Sequence, residues 1–323
     1  MTPVNADPSP MRRTLTHGAA ALLWLAVFRL LARYGVYLLP DSVTNVLSLQ
    51  AYLAWVAVIS TVIGVGLSAL LIRDTRAQLG LVRPSSRAMA MATTLALPAF
   101  VLCSGIAIAI ALPTLLDELR RGGRQLAQQN TGEFGRSLVQ TPAWLTLLWG
   151  ALISPVAEEL LFRGALWSFV NRLLPKVREA KAPESNALPE GVLQTSWLER
   201  TARALWEHLR SGGVATLVTA TIFGLLHADT PGGLGIVRTV SALGLGLCTG
   251  MLRHKTGGLA APLLLHIVFN TASVATARRW VVTDALPLKY GIPTLLMLLA
   301  ALSLVLAIVI AVATRKRAHS VST

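Results

Sequence analysis

Apolar residues in this chain fall in long blocks separated by short polar segments, and that pattern constrains the fold more than any other feature. Candidate spans lie at 18–39, 51–72, 91–116, 142–170, 213–229, 233–252, 258–277 and 288–314, near or beyond the roughly 20 residues a helix needs to cross the hydrocarbon core. A transmembrane barrel would instead show period-2 alternation. With 54% hydrophobic and 14% charged residues, against about 25% charged in soluble domains, the expected fold is all-α: a polytopic membrane helical bundle of about eight transmembrane helices.

The N-terminal stretch MTPVNADPSPMRR is polar and Pro-rich, so residues 1–17 read as a disordered tail. The first apolar run is too long for a cleaved signal and reads as an anchor. Residues 18–141 form an expected three-span scaffold, 142–277 a core, and 278–323 a last span with a basic tail. The stretch 117–141, with Arg120, Arg121, Gly122, Gly123 and Arg124, reads as an outside loop. The hydrophilic insertion 175–212 interrupts the core. Its second half repeats Trp197, Leu198, Ala202, Leu205, Trp206 and Leu209 at helical spacing opposite charged residues, the pattern of a helix lying in the membrane interface.

A net charge of +14 raises nucleic acid as a partner, but its distribution argues against that. Lys and Arg concentrate before the first span and in 73–87, 172–210, 253–255 and 315–317. The positive-inside rule then puts both termini in the cytoplasm, and the plasma membrane is the expected location. Arg29 and Arg33 read as snorkelling or bundle-facing residues without chemistry. Cys103 and Cys248 lack CxxC spacing and read as small packing residues.

Three polar motifs remain inside apolar sequence: Glu158-Glu159-x-x-x-Arg163, Phe223-x-x-x-His227 and His266-x-x-x-Asn270. A charged side chain at mid-helix opposes insertion by roughly 2.5–3.5 kcal/mol, so these groups need partners or a wet cavity. Glu159 and Arg163, four apart, share a helix face and can pair, whereas Glu158 is rotated by about 100°. The geometry suits Glu158 as general base for a water and Glu159 as the ordering partner, although the two can exchange roles. His227, His266 and Asn270 offer donors for an oxyanion and a proton relay for a leaving amine. The alternative without chemistry is interhelical hydrogen bonding, as in a non-catalytic immunity or partner protein of the same fold. A proton-coupled transporter would also place Glu, Arg and His in its spans, but the paired Gly/Pro-broken helices of such folds are missing.

EExxxR, FxxxH and HxxxN, in that order and with the first inside PVAEELLFRG, resemble the CPBP family of intramembrane endopeptidases. That family includes the CAAX-processing Rce1-type proteases and the bacterial abortive-infection and bacteriocin-processing relatives. The resemblance covers about residues 142–277, and the long 175–212 insertion departs from it. It implies a helical bundle around a water-accessible cavity, cleaving a peptide bond near the C-terminus of a membrane-bound or lipidated protein or peptide. Carried over by motif position, Glu158 with His227 activates water, His266 and Asn270 stabilise the oxyanion, Arg163 orders the glutamates and Phe223 packs the site. Glu158, His227 and His266 could in principle bind zinc as His₂Glu, but the HExxH helix of zincins is absent. A metal-independent, glutamate-type mechanism without cofactor is therefore favoured.

Overall fold

In the computed structural model, residues 10–40, 42, 49–72, 75–130, 141–173, 212–228 and 232–277 are described. Among them there is no strand, and eight helices account for the fold: α1 Pro10–Tyr34, α2 Leu49–Leu71, α3 Thr75–Gln78, α4 Ser86–Asn130, α5 Ala143–Leu173, α6 Val214–Leu225, α7 Gly232–Thr256 and α8 Ala260–Ala277. Five stretches are long and apolar enough to cross a membrane: Thr14–Leu38, Ala51–Leu71, Ser86–Glu118, Ala143–Leu173 and Gly232–Thr256. The protein is an all-α integral membrane bundle. The expected eighth span at 288–314, the tail before residue 10 and most of the 175–212 insertion lie outside the described residues.

Three expected boundaries are corrected. Residues 10–17, expected as part of a disordered tail, already belong to helix α1. The third span does not stop at 116: α4 continues helical to Asn130, so the outside loop expected from residue 117 begins as helix. Beyond Gly122 and Gly123 the sequence RQLAQQ is rich in helix formers, whose summed preference outweighs about 1 kcal/mol lost at each Gly. The fifth span, expected over 213–229, is a helix of only 12 residues, about 18 Å long at 1.5 Å per residue. It is too short to cross alone, and its motif residue His227 lies beyond its end.

Inside the bundle α4 and α6 pack on α7, α8 packs on α4, and α1 packs on α2. Small residues permit the closest approach. A Cβ at Gly246 would fall 2.9 Å from the Ala220 backbone, and one at Gly250 would fall 2.6 Å from the Thr216 side chain, so α6 and α7 touch almost backbone to backbone. Outward-facing Leu22, Val62, Leu70, Ile110 and Leu152 are exposed, as residues facing acyl chains must be. The buried core of Trp24, Leu161, Phe162, Phe223, Leu245, Leu265 and Phe269 surrounds the polar motifs.

Helix α5 carries the first motif and is not a uniform α-helix. Its turns widen to π geometry over Leu148–Ile153 and again over Leu160–Leu166, on either side of the α-helical turn Ser154–Glu159. In a π turn the hydrogen bonds reach one residue further, and such bulges concentrate at functional sites. Each widened turn here presents a carbonyl to a side chain far away in sequence. Asn270 Nδ2 donates to Gly150 O at 2.7 Å, and Arg253 Nε donates to Arg163 O at 3.0 Å.

Candidate active site

Glu158 and Glu159 leave α5 on different sides, and His266 from α8 lies between them. Its Nδ1 donates to Glu159 Oε1 at 2.8 Å, while its Nε2 lies 3.5 Å from Glu158 Oε2. The second separation exceeds ordinary hydrogen-bond length, so Nε2 faces Glu158 without being committed to it. The two glutamates differ sharply in environment. Glu159 is 1% exposed and faces Arg163, itself fully buried, with Nη1–Oε1 at 3.3 Å. Glu158 is 14% exposed and accepts a hydrogen bond from Ser154 Oγ at 2.5 Å. One carboxylate is locked in protein and the other is partly exposed.

Phe223 ties the motifs together. It is 1% exposed. Its ring lies 4.6 Å from the His227 ring, 5.9 Å edge-on from His266 and 4.7 Å from the Arg163 Cζ. Phe162 meets it edge to face at 5.0 Å and also lies beside the guanidinium. Arg163 is therefore held by the Glu159 charge and by aromatic faces, an arrangement worth most where water is excluded. Its Nε, Nη1 and Nη2 are buried and make no hydrogen bond among the described residues.

The Phe223-x-x-x-His227 spacing is that of one helical turn, but the helix stops at Leu225. His227 sits in the turn that ends α6, with its N–H donating to Gly224 O at 3.0 Å and Nδ1 donating to Phe223 O at 2.7 Å. Because a carbonyl can only accept, Nδ1 carries the proton, and in the neutral ring Nε2 carries the lone pair. Asn270 is partly buried, and one hydrogen of its amide is committed to Gly150 O. The other amide hydrogen and the carbonyl oxygen remain for other partners.

Sequence reasoning missed two contributors. Ser154 stands four residues before Glu158, in the turn below it, and that spacing was the available signal. Arg253 was counted as a loop charge, yet it is 4% exposed within α7. Cys103 and Cys248, read as separate packing residues, meet side chain to side chain across α4 and α7. Arg29 and Arg33 are exposed on α1, Arg33 lying over Tyr34 at 5.7 Å.

The zinc set Glu158, His227 and His266 is not assembled. Glu158 and His266 approach each other, but among the described residues no three His, Cys, Asp or Glu side chains converge as metal ligands. The three side chains that a His₂Glu site would need are thus not gathered among the described residues.

Residues 140–272 match the family model described as type II CAAX prenyl endopeptidase Rce1-like. No curated protein and no solved structure matches the chain. The matched segment contains all three motifs and agrees with the resemblance carried by their residues. At the level of that family it supports endopeptidase activity within the membrane.

Proposed function

We propose that this protein is an intramembrane endopeptidase that hydrolyses a peptide bond near the C-terminus of a membrane-bound or lipidated protein or peptide. The observation that carries the reading is His266 held between a buried, Arg-paired glutamate and a partly exposed one. A purely structural pair would not need the second carboxylate.

In this reading Glu158, together with His227, whose ring like that of His266 packs against Phe223, takes a proton from water, and the resulting hydroxide attacks the scissile carbonyl. Ser154 holds one oxygen of Glu158, so the other is aimed. Charge developing on the carbonyl oxygen is met by the second amide hydrogen of Asn270 and by His266 Nε2, which donates in the imidazolium form of the ring. The proton on Glu158 or His227 then passes to the departing amine, and the carbon–nitrogen bond breaks. Glu159 and Arg163 do not touch substrate; they hold His266 Nδ1 and thereby aim Nε2. No metal takes part in this scheme. Both termini cytoplasmic and residence in the plasma membrane complete the proposal.

The test reconstitutes wild type, Glu158→Gln and His266→Ala in liposomes with reporters that carry a C-terminal tail anchored in the bilayer. The proposal expects tail removal by wild type and loss of it in both folded variants. Unchanged processing by both variants would overturn it.

A further inference from the structure

Arg253 is buried in α7 and is used by none of the steps above. Among the described residues no carboxylate pairs with it. All its hydrogen bonds go to backbone carbonyls: Nε to Arg163 O at 3.0 Å, Nη2 to Gln78 O at 3.2 Å and Nη1 to Gly257 O. Those carbonyls belong to three separate places: the widened turn of α5, the end of α3, and the turn that leads into α8. The guanidinium also stacks over Trp167 of α5, with Cζ 5.2 Å from the ring.

A buried cation without a counter-ion is expensive, and filling the same space with an apolar side chain would avoid that expense. The residue therefore needs a reason that space-filling does not supply. Only a planar fork with five donors can reach three carbonyls in different directions at once. The surroundings are cut to fit it. Gly80 adopts φ +72, and a Cβ there would lie 2.6 Å from the Arg253 Cζ. Gly80 O in turn accepts from Leu259 N at 2.9 Å, next to the start of α8. Ser168 Oγ of α5 donates to the same Gln78 O at 2.6 Å.

We propose that Arg253 is a positioning residue that fixes the rotation of the widened α5 turn and the approach of α8, and so sets the register of Arg163 and Glu159 against His266. Arg163 supplies both ends of the linkage. Its carbonyl is held by Arg253, and its side chain faces Glu159. A turn that rotates about the Arg163 backbone carries the guanidinium with it, and Glu159 and His266 follow. Gly257 lies nine residues before His266, so the same guanidinium also anchors the helix that brings the histidine. A misplacement of about 1 Å at such a distance from chemistry can lower rate a hundredfold.

This inference rests on the endopeptidase reading for its kinetic test, so a readout that needs no activity is paired with it. Wild type and Arg253→Lys, as full-length protein in liposomes, are compared for cleavage of a tailed peptide and for amide hydrogen exchange over 158–168. A lysine keeps the charge but has a single nitrogen and cannot span the three carbonyls. The expected result is kcat lower by about tenfold to a hundredfold per folded molecule, KM within about twofold, and faster exchange over 158–168 with α2 unchanged. Should the lysine variant fail to fold, Gly80→Ala displaces the guanidinium without removing it and is expected to show the same kcat loss and exchange change. A folded variant with wild-type kcat and wild-type exchange overturns the proposal, as does activity that falls only in proportion to folded protein. If wild type cleaves nothing, the endopeptidase reading fails, and exchange alone decides the role of Arg253: acceleration over 158–168 upholds it and wild-type protection overturns it.

Discussion

Changing Glu159 to Gln and Glu158 to Gln, one at a time, separates stability from turnover. Glu159 is 1% exposed and its partner Arg163 is fully buried, and among the described residues the guanidinium nitrogens make no hydrogen bond that could replace the lost charge. Removing one member of such a buried pair costs about 3–5 kcal/mol, because the other charge is stranded. Glu158 is 14% exposed, and a glutamine there still accepts from Ser154, so its replacement costs no more than about 1 kcal/mol. Activity runs in the opposite order. Glu158→Gln removes the general base and lowers kcat by about 10²–10⁴. Glu159→Gln leaves the base in place and loses less per folded molecule. Stability is read by denaturant titration in mixed micelles and turnover in liposomes, each normalised to folded protein. Equal destabilisation by the two changes would refute the burial argument. Turnover abolished by Glu159→Gln and intact in Glu158→Gln would show the roles reversed.

Asn270→Ala is expected to lower kcat by about 10²–10³ with little change in KM, since the amide donor acts on a charge that exists only in the transition state; a KM effect alone would contradict that role. Gly246→Val presses a side chain into the Ala220 backbone 2.9 Å away. It should destabilise the bundle by about 1–3 kcal/mol and lower activity through displaced α6, both measurable in one thermal series with turnover. Dialysis against a strong chelator should leave turnover unchanged, because the donor set is not assembled among the described residues. Loss of activity restored by Zn²⁺ would reverse that conclusion.

Much of this architecture is legible in the residues, and the part that is not has identifiable causes. Apolar block length marks the long spans, and the four-residue spacing of Glu159 and Arg163 brings them within 3.3 Å, because a side-chain period depends on the local helix alone. The difference between Glu158 and Glu159 follows from the same helical phase. His227 escapes the reading because hydropathy counts apolar residues whether they lie in a helix or in the turn that ends it. The widened turns of α5 have no local signature either: the carbonyls at Gly150 and Arg163 are taken by Asn270 and Arg253, 120 and 90 residues away. Arg253 itself looks like a topology charge, since burial at the end of a span depends on what α3 and α5 place around it. Helix formers beyond Gly122 and Gly123 extend α4, although a Gly pair between arginines marks a loop by composition.

The central claim is that a water activated at Glu158 cuts a peptide bond within the membrane, and the terminal mass of the product tests it most directly. A tailed reporter incubated in liposomes with wild type, in water enriched in oxygen-18, is analysed by mass spectrometry beside the Glu158→Gln variant. The account predicts a single new C-terminus near the membrane end of the reporter, carrying one heavy oxygen from solvent and missing in the variant. An intact reporter with wild type, or the same product from Glu158→Gln, would contradict it.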